Sequence, residues 1–406
     1  MLTTPKSALP KYVLLLTVVI DAMGIGLIFP VMPDLIRDVL HTDLSDAALW
    51  GGALITVFAL MQFIFGPIIG NLSDAYGRRP VLLVSLAVMV GDYVVMALAG
   101  SIWLLMLGRL VGGITSATHA TATAFMADIS AAETKAANFG LLGAGFGLGF
   151  VLGPIMGGFL AEFGTRAPFL AAGALAACNL LLALVILPET VPPERRRPFS
   201  WRRANPLGAL QAIARLPGLR SLLTVIFLYD ISMQVYGVIW AYFGQARFGW
   251  DSRLIGISLT LYGVAMILVQ ALLFRPTMAR LGERRTVLFG LGANVVFLSI
   301  LSVIRSGTAT LIITPLSALG ELAQPALIAI ASRAAPDDAQ GEMQGVLSSL
   351  MALAMIVTPL IMTTIFGFFT APEAPIFLPG APFAAAALLL IPAIAIFALF
   401  ARRQDG

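Results

Sequence analysis

Apolar residues run along this chain in long unbroken stretches, each closed by a short polar or basic segment. Twelve can be marked, at about 11–33, 47–70, 81–100, 102–126, 138–163, 167–188, 219–243, 254–274, 286–304, 307–332, 343–369 and 379–401. Each comes near the ~20 residues an α-helix needs to cross a bilayer. Barrel strands would be ~10 residues long and would alternate polar with apolar positions. The pattern predicts an all-α membrane protein of twelve transmembrane helices. The longest polar connection, Pro188 to Gly218, is rich in proline and arginine and leaves six spans on either side. The expected domains are an N-terminal six-helix bundle over 1–188, a cytoplasmic linker over 189–218 and a C-terminal six-helix bundle over 219–406.

Composition narrows the function. Of 406 residues, 59% are hydrophobic and only 11% charged, where a soluble domain carries roughly a quarter. A soluble enzyme is excluded. The first ten residues lead straight into an apolar stretch longer than a signal-peptide core, so the first span is expected to remain as an anchor. The charge of +4 comes from arginines in short loops, which is no nucleic-acid signature. The lone Cys178 allows no intramolecular disulfide. With two histidines and one cysteine there is no metal-ligand spacing, and no phosphate-binding loop supports drive by ATP. No cofactor is expected. His119, the only histidine in a span, reads as buried, neutral and satisfied by a helix carbonyl, and His41 as solvated in an outer loop.

Orientation follows from the basic residues. With both termini inside, 19 of the 25 lie on the cytoplasmic side, five lie outside, and Arg109 falls within a span. The positive-inside rule then places both ends in the cytoplasm. The halves also echo one another at an offset of 205 residues, where Gly77 meets Gly282, Gly140 meets Gly345 and Pro154 meets Pro359. Such internal repeats are common in secondary transporters, with the substrate site between the repeats.

Three groups of residues carry candidate chemistry. The loop Gly70-Asn71-Leu72-Ser73-Asp74-Ala75-Tyr76-Gly77-Arg78-Arg79-Pro80 joins spans two and three, with a degenerate copy at Gly282-Glu283-Arg284-Arg285. Span five carries Gly145, Gly149, Gly153 and Gly157 at intervals of four, with Pro154 and Gly158. Residues four apart share a helix face, so this stripe forms a smooth groove for a neighbouring backbone. Asp21, Asp92, Asp230 and Glu321 lie near the middle of their spans, and Arg109 lies ~12 Å below the outer end of span four. Asp21 is ten residues in from Lys11, ~15 Å along a helix. Burial disfavours a charged carboxylate and a nearby arginine restores it. An acid that alternates between those surroundings, with Arg109 as partner, can carry a proton. Permanent structural ion pairs are the alternative. In span seven Tyr229, Met233, Tyr236 and Trp240 share one face beside Gln234, an arrangement suited to a large apolar ligand or simply to core or interface packing.

The inter-span loop resembles the signature loop of the major facilitator superfamily. The run Gly149-x-x-x-Gly153-Pro154-x-x-Gly157-Gly158 resembles the motif found mainly in its drug/proton antiporters. Asp21-Ala-Met-Gly-Ile-Gly-Leu-Ile-Phe-Pro30, Gly91-Asp92-Tyr93 and Arg247-Phe248-Gly249-Trp250-Asp251 are similar to segments of the tetracycline/proton antiporters. The resemblance implies two pseudo-symmetric six-helix bundles. It also implies proton-coupled export of an amphiphilic, drug-like compound, tetracycline-type or multidrug, by a monomer in the inner membrane. Its partners would be the substrate, protons and the bilayer, and it would be no enzyme. Gly70, Asp74, Gly77, Arg78 and Arg79 would form a conformational latch, and Asp21, Asp92, Arg109, Asp230 and Glu321 would couple protons. Gln234, Tyr236, Trp240, Gln270 and Asn294 would face substrate. Two positions depart from the family: Asn294 stands for an acid in the ninth helix, and Met266 for a histidine in the eighth. An importer or facilitator of a small metabolite on the same fold is the alternative.

Overall fold

The computed structural model describes residues 9–116, 118–201, 204–206, 208, 217–334 and 340–405. Helices account for nearly all of them, and no strand occurs among the described residues. In chain order the long ones are α1 (Leu9–Leu40), α2 (Leu44–Tyr76), α3 (Arg78–Leu98), α4 (Ile102–Thr115), α5 (Thr118–Ile129), α6 (Lys135–Leu160) and α7 (Ala167–Ile186). After the connector follow α8 (Arg220–Phe248), α9 (Ser252–Leu268), α10 (Phe274–Val303), α11 (Gly307–Ser317), α12 (Ala323–Ala334), α13 (Gln340–Thr370) and α14 (Ala381–Asp405).

Ten helical stretches are long and apolar enough to cross a membrane. One of them, Ser252–Val303, has 52 residues, more than twice the length of a crossing. It turns at Gly282, whose φ of 71° and ψ of 169° break the helix into two spans. Residues 102–129 form α4 and α5, each too short alone, with the helix interrupted around Ser116. Counted so, the described helices make the twelve expected crossings. Their outward surfaces carry Trp103, Leu107, Val185, Leu272, Val303 and Leu388, all exposed. So large an apolar exterior is that of a protein solvated by lipid. It is a multi-pass membrane protein.

Contacts divide the chain into two units, Met1–His41 with Val57–Pro206, and Thr42–Thr56 with Leu207–Gly406. This grouping differs from the sequence division at the first half of α2 and at the start of the connector. In the first unit α1 is the most buried span, set against α6 and α7. In the second, α8 holds that place, against α13 and α14.

Each unit also repeats the other's irregularities. Gly77 between α2 and α3 has φ 111°, and Gly282, its counterpart at an offset of 205, is likewise left-handed. The fourth span of the first unit breaks at Ser116. That of the second breaks at a 3-10 turn, Ala318–Leu322, which contains Glu321 at the matching position. Pro315 just before it lacks an amide hydrogen and cannot complete the α-helical ladder.

The glycine stripe of α6 meets α1 backbone to backbone. A Cβ on Gly149 would lie 2.9 Å from Met23 N, and one on Gly153 would lie 2.8 Å from Leu27 N. A Cβ on Gly26 of α1 would lie 2.7 Å from Pro154 Cδ. Gly157 approaches Leu27 in the same way, while Gly143 and Gly147 look into open space. With no hydrophobic drive between helices in lipid, this close approach is what holds α1 in place. Gly153→Ala should therefore destabilise the protein by ~1–3 kcal/mol. Gly147→Ala should be neutral or slightly stabilising. Thermal unfolding of both variants in detergent micelles checks this, and equal melting temperatures would refute the packing argument.

Candidate functional site

The first unit builds its charged centre on α3 and α4. Arg109 of α4 forms an ion pair with Asp92 of α3, both side chains only 11% exposed. Asp92 is seated on a gap in α4: a Cβ on Gly108 would lie 2.8 Å from its Oδ1, and one on Gly112 3.0 Å from its Oδ2. Any larger residue at either place would push the carboxylate off the helix. The guanidinium also lies over the Phe58 ring, 5.2 Å from its centroid. Asp92 Oδ1 and Arg109 Nε remain buried without a hydrogen bond. In this structure Arg109 is paired with Asp92 of the neighbouring helix. The reason is that α3 and α4 are adjacent and α4 has no side chains where Asp92 lies.

Asp21 is half-buried on α1. Three residues on, a Cβ on Gly24 would lie 2.8 Å from Tyr93 Cζ, so the tyrosine's tip rests on α1. Tyr93 follows Asp92 directly along α3. It connects the neighbourhood of Asp92 to α1, the helix that carries Asp21, a contact the sequence did not show. Its signals were its place beside Asp92 and the small Gly24 opposite.

At the end of the unit where α2 meets α3, Arg78 forms ion pairs with Asp74 at 2.5 Å and Asp128 at 3.4 Å, and donates to Ser73 Oγ at 2.6 Å. Asp74, Arg78 and Asp128 line a cavity of about 600 Å³ with Ser130, Thr190 and Arg197. Arg79 donates to the Leu184 carbonyl at 2.7 Å, and Gly70 looks into open space. The second unit has the same corner with its charges reversed: Glu283 pairs with Arg333, at the positions that match Arg78 and Asp128. Asp128 and Arg333 were not singled out from the sequence, although the offset of 205 relates them.

The second unit has a different polar centre. Glu321, buried in the 3-10 turn, accepts from the Tyr262 hydroxyl at 2.6 Å and from Tyr229 at 3.3 Å. Asp230, next to Tyr229 in the chain, is buried as well. Asn294 is buried too, and its Nδ2 donates to the Gly320 carbonyl at 3.2 Å, one residue from Glu321. Met266 packs against Val269, Ala318 and Leu322. Tyr236 stacks on Tyr262 with centroids 5.4 Å apart. Trp240 is fully enclosed, donating to Ser258 at 2.8 Å and packed against Phe243, Trp250 and Phe383. Three members of the span-seven stripe, Tyr229, Tyr236 and Trp240, are therefore buried within the unit. Gln234 is half-buried, and Gln270 is exposed on a π-helical turn, Val269–Leu273. His119 differs from expectation: it is exposed, with its ring edge-on to Phe146 at 5.4 Å. Among the described residues no cluster of His, Cys, Asp and Glu could hold a metal ion.

Residues 14–243 and 222–405 each match the family model of the Major Facilitator Superfamily. The chain belongs to that superfamily. It is 42% identical to the class C tetracycline resistance protein of Escherichia coli, over 89% of this chain and 90% of that one. To the class G tetracycline resistance protein of Vibrio anguillarum it is 40% identical, over 87% and 89% of the two chains. The crystal structure of the human organic anion transporter MFSD10 matches with a TM-score of 0.70 at 25% identity, covering 97% of this chain and 100% of that one. Superfamily members are transporters of small molecules, and this chain has their fold.

Breaking a buried ion pair leaves one charge uncompensated, whereas removing both leaves none. Asp92→Asn and Arg109→Gln should each destabilise this protein, and the double variant should cost less than the two singles together. A coupling of ~1–3 kcal/mol is expected from unfolding in mixed micelles. Additive effects would show that the pair does not act as a unit.

Proposed function

We propose that the protein is a proton-driven exporter of an amphiphilic, drug-like compound, working by alternating access in the inner membrane with both termini cytoplasmic. The observation that carries this is the buried Asp92–Arg109 pair with Tyr93 reaching from it to α1, the helix of Asp21. A transporter coupled to protons needs an acid that can change partners inside the membrane, and these groups supply one. The tetracycline resistance proteins it resembles support a substrate of tetracycline type or a wider set of amphiphiles.

In this reading the halves 1–188 and 219–406 rock about the substrate, joined by the linker 189–218. Asp21, Asp92 and Arg109 are exposed alternately to each side. Substrate binding from inside favours proton loss, and protonation from outside favours return. Asp230 and Glu321 take part from the C-terminal half, Glu321 in the place that the neighbouring Asn294 leaves without charge. Gly70, Asp74, Gly77, Arg78 and Arg79 latch the cytoplasmic end. Gly149, Gly153, Pro154, Gly157 and Gly158 keep α1 close to α6. Substrate meets Gln234 and Gln270, while Tyr236, Trp240 and Asn294, which the structure buries, back that site from within the unit. The protein acts as a monomer, with substrate, protons and lipid as partners, without nucleic acid, cofactor or catalysis.

The energy is sufficient. One charge moving through ~150 mV yields ~3.5 kcal/mol, and at ~1.4 kcal/mol per tenfold this sustains a gradient of a few hundredfold. The test uses everted membrane vesicles with an inside-acidic gradient, offered tetracycline and then a panel of amphiphilic drugs. Accumulation abolished by nigericin is expected, and Asp21→Asn should lose it while retaining folded protein in the membrane. Undiminished uptake by Asp21→Asn would remove Asp21 as proton carrier. If no compound accumulates, the importer or facilitator reading takes precedence.

A further inference from the structure

The first turn of α3 has a supply problem. A helix begins with amide groups that have no intrahelical partner, and here the residue before it is Gly77, which has no side chain to offer. Arg78 N, Arg79 N and Pro80 come first, and Pro80 has no amide hydrogen. The missing acceptor comes from more than 100 residues away. Glu189 Oε1 accepts from Arg78 N at 3.0 Å, and Oε2 from Arg79 N at 3.3 Å. Oε1 also accepts from Thr190 N at 2.9 Å and Val191 N at 3.0 Å, fixing the chain reversal that follows α7.

Gly77 is required twice over. Its φ of 111° favours glycine, and a Cβ there would lie 2.6 Å from the Glu189 carboxyl carbon. The chain after Glu189 then follows the same corner. Thr190 donates to Asp128 at 3.0 Å, Arg197 N to the Asp74 carbonyl at 3.2 Å, and Asn71 Nδ2 to the Ser200 carbonyl at 2.8 Å. The opening stretch of the connector is thereby tied at three levels to the α2–α3 corner. The second unit has no such tie from the matching position, which is Ile394, and its corner cavity of about 260 Å³ is lined by Phe397 and Phe400.

We propose that Glu189 is a positioning residue of transport, pinning the connector between the halves to the N-terminus of α3. α3 is an unbroken helix, and Asp92 lies 14 residues beyond Arg78, ~21 Å along it. A displacement of the connector is thus delivered to the Asp92–Arg109 pair as a movement of one rigid rod. This role rests on the export reading above.

The test is Glu189→Ala beside Glu189→Gln, with two readouts on the full chain in everted vesicles. The first is the rate of trypsin cleavage after Arg195 and Arg196, within the tied stretch. The second is nigericin-sensitive uptake, resolved into kcat and KM for a compound that the unaltered protein accumulates. Glu189→Ala should speed cleavage at least fivefold and lower kcat at least tenfold, with KM changed less than threefold. Glu189→Gln keeps one acceptor oxygen and should retain more than a third of the unaltered rate. Unchanged cleavage in Glu189→Ala overturns the pin, whatever happens to uptake. Faster cleavage with unchanged kcat overturns its part in transport, and so does a fall in uptake carried mainly by KM. Absence of driven uptake by the unaltered protein defeats the export reading instead, and the cleavage comparison still decides the pin.

Discussion

A charge inside hydrocarbon needs a counter-charge, a proton or a set of hydrogen bonds, and most of this molecule's irregular features answer that need. Asp92 and Arg109 neutralise one another, and the glycines at 108 and 112 exist in order to let them meet. Glu321 has no basic partner among the described groups that act on it. Two tyrosine hydroxyls hold it instead. The two solutions differ in consequence. An ion pair is lost when either member changes protonation, whereas tyrosines can serve a carboxylate or a carboxylic acid by turning one O–H. The first unit therefore holds the more charge-sensitive centre and the second the more tolerant one.

The duplicated frame makes that contrast visible. Backbone features survive the duplication at the offset of 205: left-handed glycines at 77 and 282, and broken fourth spans at Ser116 and Glu321. Side-chain chemistry does not. The corner pair Arg78–Asp128 returns as Glu283–Arg333 with its polarity inverted. Attraction between opposite charges is indifferent to which helix carries which sign, so the geometry persists while the residues exchange. A break in a span, by contrast, depends on where backbone groups lose their partners, and that is fixed by position.

Much of this was legible in the sequence, for reasons that can be named. Span length and apolarity depend only on local composition, and they placed the helices, even where Gly282 and Ser116 interrupt the regular count. The glycine stripe of α6 announced a close neighbour because spacing by four has one geometric meaning on a helix. It did not say that the neighbour is α1. The acids at 21, 92, 230 and 321 were conspicuous because charge is rare in apolar spans. Their partners were not conspicuous, since Tyr93, Tyr229 and Tyr262 look like ordinary membrane aromatics until the fold brings them to a carboxylate. Arg109 shows the same limit: a sequence shows that a charge needs a partner, and only packing selects Asp92 here. The span-seven stripe showed the opposite limit, because a shared helix face does not reveal whether it looks inward to a core. Trp240 looks inward.

Glu189 marks the boundary of what pattern can show. In the sequence it is one acid in a polar connector, where charge is unremarkable. In the fold it completes a helix that Gly77 and Pro80 leave open, and it is the only described side chain that offers an acceptor to both Arg78 N and Arg79 N. The α2–α3 corner thus depends on a residue more than 100 positions away in the chain, and a latch so built cannot be read from the loop alone. Its arginines carry the visible signature, but the backbone amides beneath them decide where those arginines stand. A connector whose first residue supplies that decision is part of the latch and more than a tether between two bundles.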